Sequence, residues 1–518
     1  MLTQITTGRM PRDSKVTLIL LLWCSSILST TLGYDASVMN GLNILPSYTD
    51  YFRLNTSTLA LQSAISWAGC AVAGLFYGKL TDWLGRKWAM WISAAITLVG
   101  VILQAAAQNI AMFVVARFVV GLGNGATYLC GPIYLAETLP LKWRAIGLGI
   151  FMDFFYVGGL LAAGITYGTA KMESTWAWRL PSALQSFFTI LSVIALPFIP
   201  ETPRWLVYRG RHAEALDAIA VTHAHGNRED PMVLVIYKEI IDTLAQEAES
   251  GRRTSYRELV KSKSSLRRLM LCASVAVITM VSGNNIISFY LGTMLSNAGI
   301  TDSTTQLEIN IILNAWCLVV ALIGTSLLDG VGRKPVAIYS TVAMTVFIFM
   351  VGGLTKAYGS SDNHSGIYGT VAAIFLFQGA YSFAWTPLAM LYPPEILNFC
   401  CRSVGMGIYT FLTNGFGLMV TMAFPYALEA ITWKTYMING AWDVLQVIFV
   451  VLFWVETKGK TLEEMDEIFE GASRSTTLHV QDVLDGMEPG LALDGVEVIT
   501  VGVSDAKTST TKQDSSVA

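Results

Sequence analysis

The sequence predicts an all-α membrane protein in which twelve transmembrane helices form two pseudo-symmetric bundles of six. Three observations lead to this prediction: a shortage of charge, a series of long apolar runs, and motifs that occur once in each half of the chain. Only 14% of the 518 residues are charged and 53% are hydrophobic, whereas an ordinary soluble domain has about 25% charged residues. Apolar residues are therefore too numerous for one soluble core, and most of them must face lipid.

The apolar runs have the length, about 20 residues, that a helix needs to cross a hydrocarbon layer. They form two groups of six, separated by a long polar segment. The predicted spans are residues 16–36, 59–79, 88–107, 111–135, 146–167, 181–200, 269–291, 309–328, 335–353, 369–391, 403–424 and 437–455.

These spans divide the chain into five predicted parts. The parts are an N-terminal segment (1–15), an N-terminal six-helix bundle (16–200), a helical linker (201–268), a C-terminal six-helix bundle (269–455) and a C-terminal tail (456–518). From about residue 471 the tail is rich in Ser, Thr, Asp and Gly and has no apolar periodicity, which predicts disorder.

The distribution of basic residues predicts the orientation. Cytosolic loops carry an excess of Lys and Arg, and most of the 34 basic residues fall on the side of the N-terminus and the linker. We therefore expect both termini in the cytosol. The two glycosylation sequons, at Asn55 and Asn363, then lie in outside loops, as N-glycosylation requires.

Several function classes are excluded by composition. A net charge of −3 offers no basic field for nucleic acid. The seven cysteines lie inside or at the ends of apolar runs, which predicts buried thiols and no disulfide framework. The five histidines lie in loops or the tail without metal-ligand spacing, and no nucleotide-binding P-loop is present. We expect neither an enzyme nor a bound cofactor or metal.

Three motif pairs recur in the same order, roughly 250 residues apart, as in transporters built from parallel repeats. The pairs are Asp82-x-x-Gly-Arg86 with Asp329-x-x-Gly-Arg333, Glu137 and Arg144 with Glu395 and Arg402, and Glu201-Thr-Pro-Arg204 with Glu456-Thr-Lys-Gly. All lie at predicted cytosolic span ends, so we expect them to form a charge latch that stabilises one conformation. The alternative is ordinary basic flanking sequence.

These motifs resemble the sugar porter family of the major facilitator superfamily over about residues 15–470. The matching stretches are Gly33-Tyr-Asp35, Asp82-x-x-Gly-Arg-Lys, Arg117-Phe-Val-Val-Gly-Leu-Gly, Tyr134-Leu-Ala-Glu-Thr, Pro200-Glu-Thr-Pro-Arg-Trp and Glu456-Thr-Lys-Gly. The fungal lactose-permease-like branch is similar in further stretches: Gly33-Tyr-Asp-Ala-Ser-Val-Met-Asn-Gly, Ser282-Gly-Asn-Asn, Trp385-Thr-Pro-Leu and Ile431-Thr-Trp-Lys-Thr-Tyr. Val455 departs from the family, which has Pro there.

The resemblance implies the major facilitator fold and transport of a sugar or glycoside across the plasma membrane by alternating access, together with a proton. Its partners are then a small solute, protons and the lipid bilayer. Asp35 and Arg117 stand at the family's proton-coupling positions. A permanent structural ion pair is the alternative role for these two residues.

Two further carboxylates lie inside predicted spans, where ionisable groups indicate function. Asp153 falls on the expected cavity face, where it either binds substrate or pairs with a neighbouring helix. Asp443 is placed near the outer end of the last span, with a structural role.

The resemblance also implies which residues bind the substrate. Family positions that carry amides or an indole are occupied here by Met152, Thr279, Met280, Met390 and Gly415, which predicts a wider and more apolar cavity. The expected substrate contacts are Met152, Asp153, Thr279, Met280, Asn285, Tyr290, Met390 and Asn414, with Tyr156 and Trp385 as possible stacking partners. This composition leaves open an exporter or pathway-specific transporter of a less polar metabolite. A third interpretation is that the protein is a sugar sensor that does not transport.

Overall fold

The computed structural model describes residues 13–249, 263–359, 361, 363–397, 399–460, 465 and 468–469, and within these ranges it omits a few side chains, including that of Asp329. The tail beyond residue 469, with its predicted disorder, lies outside the described residues. The described part is helical throughout, and twelve of its helical segments are long and apolar enough to cross a membrane. The predicted all-α class with twelve transmembrane helices is confirmed.

The helices of the first half and the linker are named in chain order. They are α1 (Ser14–Ile44), α2 (Pro46–Phe52), α3 (Thr56–Leu84), α4 (Arg86–Ala105), α5 (Ile110–Thr138), α6 (Leu141–Thr169), α7 (Trp176–Ala195), α8 (Pro203–Tyr208), α9 (His212–His223) and α10 (Pro231–Glu249). Those of the second half are α11 (Lys263–Val281), α12 (Asn284–Asn297), α13 (Ser303–Val331), α14 (Arg333–Tyr358), α15 (His364–Ile396), α16 (Phe399–Ile431) and α17 (Lys434–Phe453).

Side-chain caps define where several of the long helices begin. Asp13, Asn55, Asn109, Asp302 and Asn363 each accept a hydrogen bond from a backbone N–H in the first turn of α1, α3, α5, α13 and α15. Such caps satisfy backbone donors that a helix start leaves unpaired. The two predicted glycosylation sites, Asn55 and Asn363, are thus exposed helix caps.

Glycine separates the helices at the two repeated Asp-x-x-Gly-Arg motifs. Gly85 (φ 98°) ends α3 and starts α4, and Gly332 (φ 108°) does the same between α13 and α14. A side chain is strained at these φ values, so each motif needs its glycine to reverse the chain. A third glycine, Gly283 (φ 90°), breaks the seventh span into α11 and α12.

Two helix pairs form the most extensive seams between the halves. One is α3 against α16 and the other is α6 against α13. At the first seam, a Cβ built on Gly74 would lie 2.7 Å from the backbone oxygen of Gly407, so the two backbones touch. Helices α8–α10 pack through their own apolar cluster, which includes Trp205, Ile219 and Val233. They lie beside the ends of α1 and α5, and we call this side of the bundle the linker end.

Candidate functional site

A cavity lies between the halves, enclosed by helices of both. It is lined from α1, α3, α5 and α6 in the first half and from α11, α12, α13, α15 and α16 in the second. The cavity and its mouth together hold ≈ 1140 Å³ of empty space. Its position at the interface of two repeats is where secondary transporters bind their substrates.

The structure brings six of the eight predicted contact residues to the cavity wall. These are Met152, Thr279, Met280, Asn285, Met390 and Asn414. Asn285 is held in place because its Nδ2 donates to the backbone oxygen of Met280 at 3.0 Å. Three of the six are methionines, whose flexible thioethers adapt to apolar or irregular ligands.

Tyr290 does not line the cavity, so its prediction as a cavity residue is wrong; of the two roles predicted for Asp153, the structure favours contact with a neighbouring helix over contact with the substrate. Asp153 is fully buried and faces α13, because its neighbour Met152 occupies the cavity side of α6. Tyr290 is buried at a kink inside α12, where its hydroxyl donates to the backbone oxygen of Thr421 at 2.7 Å. Its hydroxyl also lies near Ser63 of the first half, so Tyr290 belongs to the packing between helices and does not line the cavity.

The expectation of an amide-poor cavity is also corrected. Amides that the sequence reasoning missed line the wall: Asn40, Asn284, Asn310, Asn314 and Gln378. Asn40 Nδ2 donates to Asn310 Oδ1 at 3.1 Å across the two halves, and Gln378 Nε2 donates to Asn284 Oδ1 at 2.7 Å. The signal was present in the spacing of Asn310 and Asn314, which places two amides on one face of an apolar helix.

Several of these amides retain hydrogen-bonding atoms without a partner among the described residues. They are Asn40 Oδ1, Asn310 Nδ2, Gln378 Oε1 and Asn414 Oδ1. An unsatisfied buried polar group costs about 1–3 kcal/mol. A ligand hydroxyl that forms a hydrogen bond with one of these four atoms removes that cost. No Asp, Glu, Lys, Arg or His is among the described residues that line the wall, which favours an uncharged ligand.

The two predicted stacking residues differ in position. Tyr156 lines the cavity, and its hydroxyl lies 2.7 Å from Ser382 Oγ and 3.1 Å from Thr386 Oγ1. Trp385 does not line it, because its indole packs edge-on against Trp454 and donates to Thr341. A ligand in the cavity can stack on Tyr156, whereas Trp385 belongs to the packing of the second half.

Asp35 and Arg117 form a buried ion pair beside the cavity. Arg117 Nη1 donates to Asp35 Oδ1, and its Nη2 donates to Ser66 at 3.2 Å. Asp35 also accepts from Asn124 and from Gln185, each at 2.9 Å. Asn124 lies seven residues after Arg117 on the same face of α5, so its role was accessible from the sequence; Gln185 on α7 was not.

At the linker end, the first repeated motif set is assembled around Arg86. Its Nη1 lies 3.3 Å from Asp82 Oδ1, and its Nη2 donates to Glu137 Oε1 at 3.2 Å. Two groups from the other half complete the set: Arg402 Nη1 lies 3.8 Å from Glu137 Oε1, and Ser403 Oγ donates to Asp82 at 2.7 Å. The arrangement ties α3 and α5 to α16.

The second motif set repeats this arrangement. Arg333 Nη2 donates to Glu395 Oε1 at 3.1 Å, and Arg144 of the first half lies close enough to attract the Glu395 carboxylate. The side chain of Asp329 lies outside the described ones. We call Asp82, Arg86, Glu137, Arg144, Arg333, Glu395 and Arg402 the charge network.

Glu201 and Glu456 hold the helix that follows each glycine turn. Glu201 accepts from the backbone N–H groups of Arg86 and Lys87, each at 3.1 Å, and Glu456 accepts from those of Arg333 and Lys334. A carboxylate at a helix start also favours the helix dipole. Burial raises the pKa of Glu201 above its ordinary value. Arg204 lies on the wall of a second, linker-end cavity together with Glu137.

Asp443 corrects another prediction, since it lies in the middle of α17 and not near an end. It is fully buried, and its carboxylate lies 3.5 Å from Asn439 one turn earlier. It is not among the described residues that line the cavity.

Comparison with known proteins decides the family. The model of the family described as "Sugar (and other) transporter" matches residues 21–469. The chain belongs to this family. The MFS-type transporter oryC of Aspergillus oryzae is 31% identical over 460 residues, which cover 84% of this chain and 82% of the relative. The high-affinity glucose transporter of Kluyveromyces lactis is 29% identical over 457 residues, with the same coverage of both chains.

Solved structures agree in fold. The proton:xylose symporter XylE, bound to 6-bromo-6-deoxy-D-glucose, superposes with a TM-score of 0.77 at 21% identity, covering 88% of this chain and 100% of that one. This sugar-porter family member is thus an integral, multi-pass transporter of the major facilitator superfamily, and it is not an enzyme.

Proposed function

We propose that the protein transports an uncharged, hydroxyl-rich solute, a sugar or glycoside, together with a proton by alternating access. The observation that carries this proposal is a cavity with unpaired amide atoms and without charged wall residues, directly beside the Asp35–Arg117 pair. The relatives named as glucose transporters support the substrate class.

The amides supply the chemistry that a sugar requires. A sugar hydroxyl both donates and accepts, and so does a carboxamide. Asn40, Gln378 and Asn414 offer carbonyl oxygens, and Asn310 offers an N–H group. Because Asn40 and Asn310 come from opposite halves, a sugar between them contacts both and favours their approach.

Proton coupling follows from the hydrogen bonds of Asp35. An ionised carboxylate accepts all of them, whereas protonation removes its charge and weakens its hold on Arg117. The residues that follow Asp35, Ala36 and Ser37, line the cavity, so a change at the carboxylate reaches the substrate site directly. The structural neighbour named as a proton symporter supports this part of the proposal.

The charge network stabilises the conformation that is closed at the linker end. In this proposal that end faces the cytosol and the membrane is the plasma membrane. The basic loops support the orientation, and both ends of the described membrane domain lie at the linker end: Ser14 contacts His225 of the linker, and Glu456 caps α14. Asn55 and Asn363 are then extracellular glycosylation sites.

A second candidate is a pathway-specific transporter or exporter of a less polar metabolite. Met152, Met280 and Met390 favour it, because they occupy cavity positions where the family resemblance implies amides and an indole. The fold and the alternating-access mechanism are the same for both candidates.

The test is substrate-dependent proton movement in proteoliposomes, with a panel of hexoses, disaccharides, glycosides and apolar metabolites. We expect a sugar or glycoside to drive proton uptake, and Asp35→Asn to abolish it while sugar exchange continues. Asp443→Asn is the matched control, because it neutralises a buried aspartate away from the ion pair. Sugar transport without proton movement would contradict coupling, and transport of apolar compounds alone would contradict the sugar assignment.

A further inference from the structure

Asp153 is a buried carboxyl group for which the proposed transport cycle has no role. Its side chain is completely buried in α6, and neither carboxyl oxygen has a hydrogen-bond partner that meets ordinary geometric limits among the described residues. The polar group that it faces is the Thr325 hydroxyl on α13, in the other half of the protein. Asp153 therefore lies in the seam between the halves.

Among the residues that the structure describes, no charged group compensates this carboxyl. The charged or titratable side chains on helices packed against α6 are Lys15, Cys24, Tyr34 and Asp35 on α1, Arg117, Tyr128, Cys130, Tyr134 and Glu137 on α5, Arg179 on α7, Glu308, Cys317 and Asp329 on α13, and His364, Tyr368, Tyr381, Tyr392 and Glu395 on α15. None of those that the structure describes forms an ion pair or a hydrogen bond with Asp153. An isolated ionised carboxylate in an apolar interior is so unfavourable that the group takes up a proton.

The seam around Asp153 is tightly closed. A Cβ built on Gly149, one turn before Asp153, would lie 2.3 Å from Thr325 Cγ2, and one built on Gly159 would lie 2.4 Å from Asn314 Oδ1. The two helices are therefore in close contact on both sides of Asp153 along the chain. Thr325 lies one to two turns before the end of α13 at Val331, so Asp153 lies toward the linker end of this seam.

The other half has no equivalent group. Counted from Glu137 and Glu395, the repeat places Phe411 where the first half has Asp153. The α3–α16 seam instead brings the Gly74 and Gly407 backbones together. An ionisable group at only one of two related seams is unnecessary for packing, which both seams achieve.

We infer that Asp153 is a second proton site, distinct from Asp35, that makes opening of the cytosolic side depend on cytosolic pH. The carboxyl holds a proton while α6 and α13 are in contact. When the seam opens, water reaches the group, its O–H bond breaks, and the proton passes to cytosolic water. This inference rests on the alternating-access part of the proposed function and not on the identity of the substrate.

Proton linkage gives the direction in which pH changes the opening equilibrium. The closed state binds one proton more than the open state, so a rise in cytosolic pH favours opening. One linked proton changes the open-to-closed ratio by up to about tenfold for each pH unit.

Hydrogen exchange of the full chain in lipid nanodiscs, without substrate, tests the inference. Rates are corrected for the intrinsic pH dependence of amide exchange. We expect exchange in the linker-end parts of α6 and α13 to rise, by up to about tenfold per pH unit, as the pH goes from mildly acidic to mildly alkaline. Asp153→Asn, which mimics the protonated group, should remove this dependence, and Asp443→Asn should retain it.

Two further variants keep the test decisive if Asp153→Asn folds poorly. Asp153→Glu should retain the pH dependence, because it keeps a titratable group in the seam. Thr325→Val should move the midpoint to higher pH, because it removes the hydroxyl that favours the ionised form. An unchanged pH profile in Asp153→Asn, or in Thr325→Val if the first variant is unfolded, would overturn the inference. The proposed function fails separately, if no sugar is transported while the pH-dependent opening persists.

Discussion

Arg402 of the second half lies 3.8 Å from Oε1 of Glu137 in the first half, and the same oxygen accepts a hydrogen bond from Arg86 at 3.2 Å. One buried carboxylate thus serves two guanidinium groups, one from each half. Separation of the halves at this end must leave Glu137 with Arg86 alone. The Glu137 carboxylate therefore couples the ion pair within the first half to the contact between the two halves.

Replacement of Arg402 should favour the cytosol-open conformation. Loss of one partner of a buried ion pair destabilises the state that contains it by about 3–5 kcal/mol. We expect Arg402→Ala to increase labelling of a cysteine introduced at Val404, a fully buried position on α16, by a membrane-impermeant thiol reagent. The Val404→Cys protein with native Arg402 gives the baseline, and equal labelling of both would contradict a latch.

We expect the close contact between Gly74 of α3 and Gly407 of α16 to be sensitive to any added side chain. A Cβ on Gly407 would lie 2.6 Å from the Gly74 backbone oxygen, whereas one on Gly415 would meet nothing within 4 Å. Forced contacts of this kind typically cost 1–3 kcal/mol, about the same range as overpacked cores. Gly407→Ala should lower the Tm, and Gly415→Ala, on the same helix, should not. Equal effects of the two substitutions would show that the change in helix propensity, and not the contact between α3 and α16, is responsible.

An amide in place of Met280 should improve binding of hexoses. Met280 lines the cavity next to Asn285, and one added hydrogen bond contributes about 0.5–1.5 kcal/mol. We expect Met280→Gln to lower the KM for a transported hexose by roughly 2- to 10-fold. Met172→Gln, in an exposed turn far from the cavity, is the control. A higher KM for hexoses, with weaker transport of apolar compounds, would favour a native substrate that is less polar than a hexose.

We expect acid to destabilise the folded linker by protonating His223. Burial, and secondarily the nearby Arg144, lowers the pKa of His223 from 6.5 to about 4. The folded linker disfavours the charged imidazole, so its stability is complete above pH 6.5 and decreases as the pH falls from there toward 4.

Limited proteolysis of α8–α10 over this pH range measures the effect. His223→Gln should flatten the pH dependence, whereas His364→Gln, at the start of α15, should leave it unchanged. A wild-type linker that resists protease equally at both ends of the range would refute the prediction.

Motifs repeated in the sequence predicted the members of the charge network, because equal spacing in both halves places equivalent charges at equivalent helix ends. Asp82, Arg86 and Glu137 meet as expected. Their role as a gate stays a prediction. The Ser403 hydroxyl that joins Asp82 from the opposite half was not predictable, since no local pattern reveals which helix of the other bundle lies opposite.

The cavity was predicted less well. Family positions located Met152 and Met390 correctly on its wall, but Asp153, next in sequence, faces the seam. Adjacent residues on a helix point about 100° apart, so a small error in helix rotation exchanges a cavity residue for a buried one. The same uncertainty in helix rotation explains why the sequence did not predict that Asn40 and Gln378 line the cavity.

Composition and hydropathy determined that this chain crosses a membrane twelve times, because the hydrocarbon layer imposes a minimum length on every span and each span carries that signal locally. The repeated motifs determined that its two halves are related. Only the tertiary structure decided which side chains meet between the halves. Those contacts depend on the rotation and depth of each helix against its neighbours, and many weak packing interactions, distributed over distant parts of the chain, set both quantities together.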